Sequence, residues 1–257
     1  MKELFQKLQQ PLYFKTIYLF LPDNFINLLV MSTISKPNLE FLKNLKNNNN
    51  REWFTANKAT YELFHQETID FAEALLYELN KHDDIETPSG KKSLMRIYRD
   101  VRFSKDKTPY KNNWGGGFRR ATQLLRGGYY YQIQPSGSFV GGGFWGPNAE
   151  DLLRIRKELA ANPHELRKII TSKSFINNFG ELKGDQLKTA PKGFDKEHEA
   201  IDLLRYKQFI IGKSFSDKEV LQPNFYLKVN ETFQQMRPFL DYMSYALTTD
   251  ENGESLY

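Results

Sequence analysis

The chain has no cysteine, which excludes disulfides, thiolate metal sites and a cysteine nucleophile together. Histidine is scarce: His65, His82, His164 and His198 show no H-x-x-x-H or H-E-x-x-H spacing, so a zinc site is not expected. There is no G-x-S-x-G elbow and no G-x-x-x-x-G-K-[ST] loop. Trp114-Gly115-Gly116-Gly117-Phe118 lacks the G-x-G-x-x-G pattern and leads into no clear helix, which leaves a dinucleotide site unsupported. Long apolar runs are missing too. Leu12–Val30 is interrupted by Lys15 and Pro22-Asp23-Asn24, and falls short of the ~20 residues of a membrane span. Glu3 stands where a signal peptide would be basic, and no small-residue cleavage site follows. No membrane partner is expected, and the lack of cysteine fits a reducing, cytoplasmic location.

What is present describes a globular protein. Over 257 residues, 40% are hydrophobic and 26% charged, enough apolar material to bury one core. The net charge of +5 is unevenly spread. Lys91 to Arg126 holds eleven lysines and arginines against Asp100 and Asp106 alone, a net +9 that leaves −4 for the rest. A window that supplies the whole basic character is the footprint of an anion site.

Periodicity outlines the elements. Residues 1–30 read as an extension or loosely packed arm, because Met31-Ser32-Thr33-Ile34 resembles a natural start. Residues 37–46 and 52–80 have helical spacing of their apolar side chains, with Asn47–Asn50 as the break between them. Ser93–Phe103 alternates in strand fashion, with Met95, Ile97 and Val101 expected in the core. Ser104–Lys111 is a loop because Thr108-Pro109 cannot continue a strand, and Trp114–Phe118 reads as flexible turn material. Strands are expected at 128–134, 138–145 and 208–215, the first two joined through Pro135-Ser136-Gly137. Asn148 and Asn162-Pro163 open helices, and Ser216-Asp217-Lys218-Glu219 has the spacing of a capping box. A further helical stretch, broken near Pro223, runs to about Leu247, and the tail from 249 is polar. The expected fold is one α+β domain over 31–248: an antiparallel or mixed central sheet, helices packed on it, and an N-terminal helical layer.

Three motifs carry a resemblance. They are R-x-Y-R-D-V-R-F-S-K-D-K-T-P-Y-K at Arg96–Lys111, G-Y-Y-x-x-x-x-P-x-G-S-F-x-G-G-G from Gly128, and P-K-G-F-D-x-x-H at Pro191–His198. With Phe41-Leu42, Asn48 and Arg51-x-Trp53-Phe54 upstream, the chain resembles the bacterial and fungal family called domain of unknown function 2461 from about Leu39 to Leu240. Glu199 stands where that pattern has a proline. The resemblance implies no reaction and no cofactor.

The residues themselves point to an anion cradle. Arg96, Arg99 and Arg102 offer paired donors that match phosphate or carboxylate, and Lys105, Lys107 and Lys111 add point charge beside Tyr110. Gly142, within Gly141–Gly143, would let backbone approach a ligand. Lys192 and His198, folded back onto the loop, would add an ammonium and a group titrating near neutrality. Asp100 and Asp106 either orient the arginines or act as base or Mg²⁺ ligands; in an enzyme the catalytic set is Asp100, Asp106 and His198, with His198 as acid. No resident metal is expected, and the cofactor is left open. The leading partner is a small phosphorylated or otherwise anionic ligand. Two alternatives stay open. One is a nucleic-acid module using Tyr129, Tyr130 and Tyr131 beside Arg119, Arg120 and Arg126, although Tyr130 must point away from the other two on a strand. The other is an Arg–Asp lattice that holds the loop and has no ligand.

Overall fold

Short helices with well-made caps begin the fold, seen in a computed structural model that describes residues 32–250 and 252–257. The expected arm, 1–30, lies outside the described residues. Ser35 caps α1 (Lys36–Asn47), its hydroxyl accepting from the Asn38 N–H, and Leu39, Phe41, Leu42 and Leu45 form the buried stripe. Asn50 caps α2 (Arg51–Ala56) in the same way. The long α3 (Lys58–Leu79) follows, burying Phe64, Phe71, Leu75 and Leu79. A one-turn α4 (Gly90–Ser93) then leads towards the sheet.

The sheet has four antiparallel strands in sequence order: β1 (Trp114–Arg119), β2 (Gly128–Ile133), β3 (Ser138–Phe144) and β4 (Phe209–Phe215). Between β3 and β4 the chain makes α5 (Ala149–Ala161), α6 (Pro163–Ile170), α7 (Lys173–Phe179) and α8 (Ile201–Leu204). After β4 come α9 (Asp217–Val220), closed by the Ser216/Glu219 capping box, and the 24-residue α10 (Phe225–Thr248). The expected α+β class, the hairpin and the strand at 208–215 all stand.

One exchange corrects the expectation. Ser93–Phe103 is not a strand, and the glycine run Trp114–Arg119 is one. Glycine there answers a packing demand invisible in one dimension: a Cβ on Gly116 would lie 2.3 Å from the Tyr131 ring of the paired strand. The 93–103 segment touches β1 only through the Leu94–Gly116 bridge and the Met95 N–H to Gly115 carbonyl bond of 2.8 Å, then peels away. Of its three expected core residues only Ile97 is buried; Met95 is 49% exposed and Val101 half-buried.

The two faces of the sheet differ. Tyr129, Tyr131, Ile133, Val140, Ile211 and Phe215 point into the core against α3 and α10, where Tyr129 meets Phe233 at 4.7 Å and Phe215 meets Phe225 at 5.2 Å. The other face carries Tyr130, Gln132, Phe139, Ile210 and Ser214, all half-buried or exposed. Gly115, Gly117, Gly141 and Gly212 lie between them on that face, set there by the pairs Gly115–Gln132, Gly117–Tyr130, Tyr130–Gly141 and Gly141–Gly212.

Candidate functional site

The basic motif forms a projecting ribbon on the β1 edge. Its base is closed by the Tyr98–Tyr110 bridge, with the Arg99 N–H donating to Pro109 (2.9 Å) and the Lys111 N–H to Ile97 (2.8 Å). Two features of α1 and α2 anchor it. The Asn49 side chain accepts from the Tyr110 N–H (3.0 Å) and donates to the Tyr110 carbonyl (2.8 Å), as a neighbouring strand would. The Tyr110 ring stacks on Phe54, centroids 4.0 Å apart at 15°, a contact worth about 1 kcal/mol beyond its burial. Asn49, which the sequence marks only as a helix breaker, is thus the clamp of the loop.

Two arginines of the motif are neutralised within it. Arg99 donates to Asp106 at 2.5 Å and to the Thr108 hydroxyl and carbonyl. Arg102 grips Asp100 through two N–H groups at 3.0 and 2.7 Å. Hydrogen bonds from the Arg102 side chain hold Asp100 below the usual carboxylate range. Asp106 is pushed down to about 2, first by the Thr108 N–H and then by Arg99. A depressed carboxyl stabilises the folded loop above its unfolded pKa of about 3.9. That support is therefore expected to fade as pH falls from about 4 towards 2, and the protection of the Thr108 amide relative to its intrinsic exchange rate should fall over this window while the core amides stay protected. An unchanged Thr108 protection factor would show that the Asp106 contacts do not order the loop.

Charge counting within the window overlooks carboxylates supplied from elsewhere. Arg119 meets Glu86 at 3.7 Å, Arg126 meets Asp151 at 2.6 Å, and Arg120 is buried against Asp83 and Asp241. After these pairs, Lys91, Lys92, Arg96, Lys105, Lys107 and Lys111 remain, and none reaches a carboxylate among the described residues. Two of them are held in place by backbone: Lys107 Nζ donates to the Val101 carbonyl (2.8 Å) and Lys111 Nζ to the Arg96 carbonyl (2.9 Å). Burial, and then the like charge of Arg96, lower the Lys111 pKa. At the ribbon tip Phe103 is 97% exposed, and the Arg102 guanidinium lies 6.0 Å from its ring.

Arg96, Arg99, Asp100, Arg102, Lys105, Asp106, Lys107, Tyr110 and Lys111 therefore share one ribbon. Lys192, His198 and Gly142 are not brought to it. The segment carrying Lys192 and His198 runs beyond β4, at the opposite edge of the sheet, where Lys183 bridges Ile210 and Gln186 bridges Tyr206. There the His198 Nδ1 accepts from the Ala200 N–H at 3.0 Å. Gly142 lies on the core face of β3, where a Cβ would stand 2.8 Å from Met236 Sδ of α10. Its small size admits that helix. Arg119 and Tyr130 belong to the nucleic-acid alternative read from the sequence, whereas Phe103, inside the basic motif, stands out only through its exposure.

Among the described residues no three histidine, aspartate or glutamate side chains converge as metal ligands, and no helix is long and apolar enough to cross a membrane. No curated protein and no solved structure matches the chain. A family model, described as a conserved hypothetical protein, matches residues 38–242. With its three motifs placed on one fold, the chain belongs to the family of conserved hypothetical proteins called domain of unknown function 2461.

Proposed function

We propose that this protein binds a phosphate-bearing anionic ligand on the 96–111 ribbon. The observation that carries the reading is the set of four cations of this ribbon, Arg96, Lys105, Lys107 and Lys111, that have no carboxylate partner among the described residues, two of them with their ammonium groups fixed by carbonyls. In this reading Asp100 and Asp106 keep the arginines oriented, the first of the two roles open to them. Burial lowers the Lys111 pKa first and the like charge of Arg96 second; an anion seated between the two would offset both and raise it, so affinity should weaken as pH climbs towards the Lys111 pKa. The surface is open, which suits an extended ligand better than a small enclosed one.

The test is binding of labelled inorganic polyphosphate to the full chain, compared with Arg96→Gln/Lys111→Gln. Arg96 is exposed and Lys111 half-buried, and glutamine keeps a donor for the Arg96 carbonyl, so the fold should persist. The double variant is expected to bind about tenfold or more weakly, as the loss of two phosphate contacts requires. Equal affinity of the two proteins would contradict the reading.

A further inference from the structure

We infer that the phosphate-bearing partner is a single-stranded nucleic acid whose bases lie against the open face of the sheet. The inference rests on the anion-binding reading above and adds three observations to it. The first is Phe103, whose ring is 97% exposed at the tip of a loop that also carries Arg102, Lys105 and Lys107. Within the fold this ring has no packing role, and its flat face is offered beside cations. Bases stack on such rings whatever their identity, while lysines and arginines follow the backbone.

The second observation is the pair of glycines beside Tyr130, Gly117 half-buried and Gly141 buried. The Tyr130 ring lies 5.4 Å from that of Phe139, and Gly117 and Gly141 pair with Tyr130 on either side. A Cβ on either glycine would meet only a carbonyl oxygen of the adjoining strand, at 3.2 Å, and no side chain. Neither glycine has a positive φ. Glycine in a strand interior weakens it, and here neither left-handed backbone nor a side chain among the described residues requires it, only the close carbonyl of the adjoining strand. A glycine backbone beside two aromatic rings offers peptide polar groups and ring faces together, the chemistry that receives the edge and face of a base. A duplex keeps its base faces stacked inside; only a single strand can present them.

The third observation is charge at both margins of this face. Arg119, paired with Gly128 and in an exposed ion pair with Glu86, stands at the β1 side, and Lys183, paired with Ile210, stands beyond β4. Four interstrand gaps separate them, about 19 Å, so a chain of a few nucleotides leaving the 96–111 ribbon would reach cations across the whole sheet. An anionic membrane would also attract the ribbon. It offers no use for a glycine pair set back from the tip.

Binding of a labelled oligothymidine of about 12 nucleotides to the full chain should be compared with inorganic polyphosphate of equal charge and with phosphatidylserine vesicles. The oligonucleotide should bind at least about tenfold tighter than polyphosphate. Phe103→Ala, a change at an exposed tip, should weaken the oligonucleotide about five- to tenfold and leave polyphosphate unchanged. Gly141→Val, which adds a side chain beside Tyr130, should do the same. If the two polyanions bind equally and both variants are silent, the nucleic-acid inference falls while the anion reading survives. If neither polyanion binds, both fall. Vesicle binding that Phe103→Ala abolishes, with no oligonucleotide binding, would overturn the inference in favour of a membrane-reading loop.

Discussion

Arg120→Met is expected to lower the unfolding free energy by about 3–5 kcal/mol, the largest effect of any single substitution considered. Arg120 and Asp83 are both fully buried, and Nε and Nη2 of the arginine donate to the carboxylate at 2.8 and 3.3 Å. The same guanidinium reaches the Ser244 hydroxyl at 3.1 Å and Asp241, both on α10. Asp83 also accepts from the Tyr129 hydroxyl at 2.5 Å, while Arg237 approaches it at 3.4 Å. This one side chain thus joins the end of α3, the strand pair β1–β2 and α10. Burial and the hydrogen bond to Asp83 drive the Tyr129 pKa far above its ordinary value, so Tyr129 remains a donor at any pH the fold survives. Removing Arg120 leaves a buried carboxylate with less compensation than its desolvation demands. Urea unfolding gives the number; a loss below about 1 kcal/mol would show that Arg237 alone neutralises Asp83. Combining Asp83→Asn with Arg120→Met should be milder than the sum of the two, because they share one interaction.

Gly90→Ala should be the second most damaging, at about 3 kcal/mol. The new methyl would lie 2.3 Å from the Glu73 nitrogen and 2.6 Å from the Ala72 carbonyl carbon, both backbone atoms of α3. No rotamer can yield there, so α4 must lift from α3. That movement would draw the Ser93 hydroxyl from Tyr131 (2.9 Å) and Leu94 from its bridge to Gly116, loosening the β1 edge from which the ribbon springs. The melting temperature should fall by several degrees, roughly 2–4 °C per kcal/mol for a domain of this size. Gly146→Ala, where a Cβ meets nothing within 4 Å, is the matched control and should be close to neutral. A Gly90→Ala protein as stable as the control would contradict the close helix contact.

Why some of this was legible is clear from individual residues. Caps, helical stripes and the 128–145 hairpin depend on neighbours in sequence: Asn148 and Ser216 cap helices as their spacing predicts, while Asn162 opens α6 without a side-chain cap bond, and Ser35 and Asn50 cap helices that the sequence reading leaves uncapped. That Tyr130 faces away from Tyr129 and Tyr131 follows from the two-residue period alone; that its side is the half-buried one does not. Long-range chemistry was not legible. Gly116 reads as turn material until Tyr131 is placed across from it, and Ser93–Phe103 alternates without a strand to pair with. The window count of charge treats Arg120 as free, because Asp83 and Asp241 lie far from it in sequence. For the same reason Lys192 and His198, joined to the loop by motif alone, sit across the sheet from it. The basic residues of the ribbon were legible because they are contiguous, but its form, folded back through the Tyr98–Tyr110 bridge instead of entering the sheet, was not.

The most direct test of the central claim is the salt dependence of polyanion binding by the full chain. If each of the four unpaired cations of the ribbon neutralises one phosphate, the slope of log K against log salt should be roughly −3, about −0.7 per contact on a flexible single strand. Arg96→Gln/Lys111→Gln should bring it to about half that value. A flat salt response, or a steep one that the double substitution leaves untouched, would contradict the assignment of the 96–111 ribbon as the anion site.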